Sequence, residues 1–265
     1  MRVRCVTINL KGLDYGWFEG RSDALIDGLR QHDPDIVCFQ ESTICQHTPI
    51  YNQARDIGAA LGLENCIFGP YGNPAEIVTH DQGGIALISR FAISDVRGRR
   101  LPPGHRGQSD ARSALFVLLH SPRGELGVIT THLSWRPEEA EVRLMQMGLL
   151  LSEISRNPWA PSSEKVILLG DLNATSEEPA IQAIFEHMKD AFCVAHPNEP
   201  GYTWSSRNPL TREVNLADRR IDYIFSDRNA TIRTCDVILD KPTPVFPSDH
   251  FGIFAELEWP EQAAK

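Results

Sequence analysis

A set of polar residues ends or borders short apolar runs along this chain: Asn9, Glu41, His132, Asp171, Asn173, Asp222, Asp249 and His250. The densest group is GDLN at 170–173, after the apolar run 166–169. Asp171 and Asn173 are two apart and share a side in extended geometry. A carboxylate with an amide oxygen suits Mg²⁺ or Mn²⁺ better than zinc. A turn in which Asp and Asn satisfy local backbone groups explains the tetrapeptide equally well. SDH at 248–250 sets Asp249, a metal ligand or orienting carboxylate, beside His250, a general base; a polar turn opening a strand is the alternative. Asp222 opens the apolar stretch IDYIF, where a carboxylate is costly unless paired. A histidine partner would be fixed in tautomer and stabilised in its protonated form. Arg219 or Arg220 would instead make an ion pair with Asp222. His132, in THL, ends an apolar strand, where a lone histidine is ordinarily a hydrogen-bonded core residue. Glu41 follows IVCFQ, and Asn9 ends the first strand in the same way.

The elements that must position these residues are short apolar strands alternating with amphipathic helices. Periodicity predicts strands at 2–8, 35–39, 65–68, 84–89, 114–119, 126–131, 166–169, 221–225, 231–239 and 251–257. Helices are predicted at 21–32, 52–61, 138–154 and 179–188. The two halves rhyme: each carries a helix, an apolar strand and an acidic residue, IVCFQE in one and VILLGD in the other. Successive strands with no helix between them imply antiparallel pairing. The fold class is therefore α/β, with two mixed, largely antiparallel sheets face to face and helices outside. Residues 1–265 form one domain, because polar residues spread from Asn9 to His250 make sense only if they converge.

Composition narrows the function. The chain has 265 residues, 42% hydrophobic and 23% charged, an ordinary globular balance able to bury a core without staples. A formal net charge of -9 argues against a protein held on DNA by bulk positive charge. A bound divalent cation can still bridge a phosphate to an acidic site. The six cysteines include no CxxC pair, so buried thiols in the reducing cytoplasm are expected rather than disulfides or a zinc knuckle. No apolar run is long enough to cross a bilayer. The opening MRVRCVTINL lacks an apolar core with a cleavage site, so no signal peptide is expected.

The strings TINL, IVCFQE, GGIALISR, THLSW, VILLGDLNA, RRIDYIF and SDHFGIF resemble, in this order, the endonuclease/exonuclease/phosphatase superfamily. This is the fold of pancreatic DNase I, exonuclease III and the neutral sphingomyelinases, and the resemblance covers nearly the whole chain. It implies a four-layer α-β-β-α sandwich that hydrolyses phosphodiesters or phosphomonoesters with Mg²⁺ or Mn²⁺. Glu41 would be the main metal ligand, assisted by Asn9 and Asp249. Asp171 would position or deprotonate the attacking water, and Asn173 would hold a phosphate oxygen. His250, backed by Asp222, would stabilise the pentacovalent phosphorane or act as acid or base. His132 resembles the DNase I and sphingomyelinase side, where a histidine stands here. In DNase I that histidine leans on an upstream glutamate; the corresponding stretch, 80–84, offers Asp81 and Gln82.

Substrate contacts are also implied. Arg112 stands where DNase I-like relatives place a phosphate-contacting arginine. The loop 201–210, GYTWSSRNPL, resembles a tryptophan-containing segment of relatives such as tyrosyl-DNA phosphodiesterase 2-like enzymes. Trp204 could stack on a base, with packing beneath the loop as its other role, and Asn208 could reach substrate. Trp17 and Phe18 are rim candidates. The basic run Arg97, Arg99, Arg100 and Arg106 could steer a polyanion, although a solvated loop is its ordinary reading. The expected function is a metal-dependent phosphodiesterase or nuclease acting as a monomer on a phosphoester, nucleic acid included, without membrane insertion. The alternatives are a hydrolase of lipid headgroups, inositol phosphates or small nucleotides, and a binding module that lost the chemistry. No exposed aromatic ribbon for a bilayer is evident, and no core residue of the set is missing.

Overall fold

Alternation along the strands sorts side chains into layers. The computed structural model describes residues 1–12, 20–46, 51–75, 81–105, 111–156, 165–212 and 216–260. Trp17, Phe18 and Arg106 lie outside them. In β1 (Arg2–Asn9), Val3 and Cys5 enter one core cluster while Val6 and Ile8 enter another. In β2 (Ile36–Cys45), Ile36 and Cys38 oppose Val37 and Phe39 in the same way. Such strands are apolar on both faces because each sheet is covered twice.

The first sheet runs in the order β12 (Thr231–Ile238), β13 (Gly252–Glu258), β1, β2, β5 (Gln82–Ser89), β4 (Asn65–Pro70), with β3 (Tyr51–Asn52) paired to β2. The second runs β10 (Lys189–Asp190), β11 (Asp222–Ser226), β9 (Val166–Asp171), β8 (Gly124–His132), β7 (Ser113–Ser121), β6 (Ala92–Arg100). Among the described pairs, β1 with β2 and β8 with β9 are parallel; the others are antiparallel. The rhyme in the sequence is thus a repeated unit: strand, helix, parallel neighbour. Helices α1 (Arg21–Arg30) and α2 (Gln53–Leu61) pack Leu25, Leu29, Ala54 and Ile57 on the outer face of the first sheet. Helices α3 (Ala140–Arg156) and α4 (Pro179–Phe185) pack Met147, Leu150, Ile181 and Ile184 on the second. The expected four layers are present.

Several elements differ from expectation. The basic run expected as a solvated loop puts Arg97, Arg99 and Arg100 on the edge strand β6, and the two-residue strands β3 and β10 are additional. Its charged, half-exposed sequence hides the period-2 signal, as edge strands commonly do. The short helix α5 (Ala191–Ala195), capped by the Asp190 carboxylate, had no periodicity to show. Strand β2 does not stop at Phe39. It continues to Cys45, and Glu41 sits in an interruption of its pairing with β5 rather than at a strand end.

That interruption positions the site. Cys38 and Gln40 face the inter-sheet layer, so plain alternation would send Glu41 toward the helices. The register with β5 shifts between Phe39 and Ser42, and Glu41 adopts φ 55°. A bulge of this kind re-aims a side chain. On β9, Gly170 has φ 149°, and a Cβ there would lie 2.1 Å from the Thr131 carbonyl oxygen. Only glycine allows β9 to approach β8 this closely and set Asp171 opposite His132. Gly170→Ala is expected to destabilise the fold by about 2–4 kcal/mol. Urea denaturation measures this; a loss below about 0.5 kcal/mol would contradict the close approach.

Candidate active site

The inter-sheet core ends in a polar cap. On β8, Leu126 and Val128 lie in the core and His132 follows on the same side. On β9 the series is Ile167, Leu169, Asp171; on β11, Asp222 opens the strand on the face that Ile224 carries into the core. From the first sheet come Asn9 and Gln40. Gln40 and Thr7 hydrogen-bond each other, and Gln40 Nε2 reaches Thr130 Oγ1 at 3.5 Å across the layer.

Asp171 is the centre. Its carboxylate is 1% exposed. Oδ2 accepts from Asn9 Nδ2 at 3.0 Å and lies 3.3 Å from His132 Nε2 and 3.8 Å from His250 Nε2. Oδ1 accepts the Asn173 backbone N–H at 2.9 Å. Burial works against the charge, but the His132 and His250 rings and the Asn9 amide outweigh it and hold the group well below the usual carboxylate range.

His250 Nδ1 donates to Asp222 Oδ2 at 2.9 Å. Burial lowers the imidazole's proton affinity, yet the Asp222 and Asp171 charges raise it above the ordinary histidine value. Thr203 Oγ1 accepts the Ile221 and Asp222 N–H groups. The Trp204 ring meets His250 edge-on, 5.1 Å between centroids. The expected alternative for Asp222, an ion pair with arginine, is not formed: Arg220 goes to Asp190 at 2.7 Å. The ring of His132 is oriented by a residue the sequence did not flag. Tyr71 Oη accepts the Glu41 N–H at 3.0 Å and shares a hydrogen bond with His132 Nδ1 at 2.7 Å. Burial pushes the Tyr71 phenol up, so it keeps its proton. Asp81 is engaged elsewhere, accepting the Gln46 N–H.

A cavity of about 430 Å³ opens onto this cap. Asn9, Glu41, His132, Asp171, Asn173, Asp249, His250, Arg112 and Trp204 all line it. Arg112 lies over the Tyr71 ring at 5.1 Å. Asn173, at φ 50°, donates from Nδ2 to the Leu133 carbonyl. Asn208 is not brought in. It is fully buried, donates to the Ser248 carbonyl and accepts from the Leu210 N–H, so it buttresses the Ser248–His250 turn. Lys11, Trp135 and Arg219 also line the cavity, unanticipated.

Oxygen donors suited to a divalent cation are present. Glu41 faces the cavity, with Oε1 accepting from Asn9 Nδ2 at 3.1 Å. Asp171, Asp222 and His250 also bring one ligand atom each within 4.8 Å of one another, a group able to hold a metal ion. Within that group His250 Nδ1 is already bound to Asp222 Oδ2, while Asp222 Oδ1 is buried without a partner; Glu41 is half-buried and lines the opening. Asn9 turns its amide nitrogen to the two carboxylates and its oxygen to the Lys11 N–H, so it orients ligands in this arrangement.

A sequence profile of the Endonuclease/Exonuclease/phosphatase family matches residues 6–250, and the chain belongs to that family. Its members are phosphoric ester hydrolases, typically dependent on a divalent metal. Human tyrosyl-DNA phosphodiesterase 2 is 23% identical over 265 residues, covering 96% of this chain and 67% of the relative. The CCR4-Not complex 3'-5'-exoribonuclease subunit Ccr4 of Emericella nidulans is 23% identical over 175 residues, 56% of this chain and 25% of the relative. The chain thus spans only a quarter of that relative's length. Among solved structures, TDP2 of Danio rerio complexed with single strand DNA product superposes with a TM-score of 0.77 at 18% identity, covering 97% of this chain and 99% of the other. The human Nocturnin catalytic domain gives 0.73 at 20% identity, covering 98% and 95%. At such identities these likenesses show the fold.

Linkage follows from the two shifts. Protonated His250, with its raised value, contributes stability fully present below about pH 6.5 and lost as pH rises through the folded-state value. Asp171, with its lowered value, contributes above about pH 4 and loses that contribution only as pH falls through the folded-state value. In Asp222→Asn the His250 titration should fall toward the ordinary imidazole value, read by imidazole NMR. An unchanged midpoint would show that Asp222 does not set it.

Proposed function

We propose that this chain is a Mg²⁺- or Mn²⁺-dependent phosphodiesterase with nucleic acid as its substrate class, working as a monomer. The observation that carries this reading is the buried Asp222–His250 pair, whose His250 Nε2 lies 3.8 Å from Asp171 Oδ2 and lines the same cavity as Glu41. Glu41 would hold the ion, kept in place by Asn9. Bound there, the ion would polarise the phosphoryl oxygens and offset their charge.

The protein's own groups do the rest. Asp171 is held anionic and is therefore a weak base at neutral pH. Its role is to fix the attacking water by accepting its hydrogen bond, beside the His132 ring. His250, kept protonated by Asp222, points Nε2 into the cavity and stabilises charge as it develops on the phosphoryl group. Arg112 and Asn173 border the opening where the remaining phosphate oxygens would sit. Trp204, buried against His250, stiffens the imidazolium more than it offers a stacking face. Trp135 is 46% exposed on the cavity wall and is better placed to stack on a base.

The nuclease reading draws support from relatives whose names describe exoribonucleases and a tyrosyl-DNA phosphodiesterase. Among the described residues no helix is long and apolar enough to cross a membrane. All six cysteines are free thiols, which fits the reducing cytoplasm.

Hydrolysis of bis(p-nitrophenyl) phosphate and of short single-stranded oligonucleotides should require Mg²⁺ or Mn²⁺ and stop with chelator. His250→Ala should lower kcat by roughly 10²–10³-fold or more, and should also lower the melting temperature, because it leaves the buried Asp222 and Asp171 carboxylates without their histidine partner. Glu41→Gln should shift the metal requirement to higher concentration. Preference for p-nitrophenyl phosphate would point to a phosphatase, and chelator-resistant turnover would remove the metal from the reaction.

A further inference from the structure

Lys11 lies two residues beyond Asn9, with φ 60° and its N–H bound to Asn9 Oδ1 at 2.9 Å. This backbone turn sends the side chain along the cavity wall toward Asp249. Nζ donates to Asp249 Oδ2 at 3.1 Å and to the Leu210 carbonyl at 3.2 Å. The lysine and aspartate side chains are 14% and 11% exposed, so the pair is largely withdrawn from solvent. Asp249 Oδ1 accepts from Ser248 Oγ at 3.1 Å. Both carboxylate oxygens thus have donors.

The pair is held from both ends. Arg21, buried at the start of α1, donates to the Leu10 carbonyl at 2.7 Å and to the Pro247 carbonyl at 2.8 Å. It ties the segment carrying Lys11 to the turn carrying Asp249. A divalent ion on Asp249 would have to displace an ammonium fixed at two points, with the Arg21 guanidinium close behind. Separating a largely buried ion pair leaves an uncompensated charge and is strongly unfavourable.

We propose that Lys11 is a built-in cation of this site. Its ammonium neutralises Asp249 and presents a fixed positive charge to the bound phosphoryl group, so the chain takes one divalent ion, at Glu41, and not a second at Asp249. This rests on the metal-dependent phosphoesterase reading. In this role Asp249 serves to hold Lys11, and the ammonium, on the wall of the same cavity as Glu41 and His250, is a further substrate-binding group.

The test is Mn²⁺ binding to the metal-free protein, followed by electron paramagnetic resonance and calorimetry without substrate. Wild type should bind one Mn²⁺ per chain. Asp249→Asn should still bind one, with affinity within about threefold, while Glu41→Gln should lose it. Lys11→Met should uncover Asp249 and gain a second, weaker ion that the Lys11→Met/Asp249→Asn double variant loses again. With saturating Mn²⁺, kcat of Lys11→Met on bis(p-nitrophenyl) phosphate should fall about 10–100-fold, with Lys11→Arg retaining more. Two ions on wild type, or a more than tenfold affinity loss in Asp249→Asn, would overturn the proposal even if Lys11→Met does not fold. One ion on wild type that Glu41→Gln leaves in place would overturn the Glu41 assignment while sparing Lys11. No ion at all would overturn the metal reading itself.

Discussion

A carboxylate buried at the end of the inter-sheet core must be satisfied, and Asp171 is satisfied from both sheets at once. Asn9 comes from β1 in the first sheet; His132 and the Asn173 backbone come from the second; His250 stands just before β13. Burying a charge without partners costs several kcal/mol, so the two sheets cannot slide relative to one another without breaking this set. The same contacts that make the charge tolerable also fix the spacing of the reacting groups. Stability and preorganisation have a common origin here, and the apolar side chains beneath supply the dry, low-dielectric surroundings that strengthen both.

Backbone departures collect around this point. Lys11, Glu41 and Asn173 have left-handed φ values, and Gly170 has a φ that disfavours any side chain. Such conformations cost of order 1–3 kcal/mol each and persist where the surroundings over-determine them. Each has a visible consequence. Glu41 is turned from the helix layer to the cavity, Lys11 is aimed at Asp249, Asn173 gives its N–H to Asp171, and Gly170 lets β9 lie close to β8. A regular β2 would have left Glu41 on the helix side.

The sequence made the layers legible because doubly covered strands are nearly continuous apolar runs and their neighbours differ in helix content. It also made Asp171, Asp222 and His132 legible, since each extends a period-2 series at a strand terminus. Glu41 was found by type and by resemblance, but its placement inside a bulge was invisible: no residue pattern distinguishes a strand that ends from one that shifts register. Tyr71 was missed because it orients His132 from the other sheet, 61 positions away. Asn208 braces a turn rather than meeting substrate, and an amide in a polar loop looks the same in sequence either way. Lys11 was passed over because a lysine after a strand is ordinarily a solvated one, and only the tertiary pairing with Asp249 gives it a place.

The account stands or falls on where the ion and the phosphate sit. A crystal structure with Mn²⁺ and inorganic phosphate, the ion located by anomalous scattering, tests this most directly. The account predicts manganese on the Glu41 carboxylate, with phosphate oxygens against His250 Nε2 and the Arg112 guanidinium. Manganese among Asp171, Asp222 and His250, with the His250–Asp222 hydrogen bond broken, would contradict it.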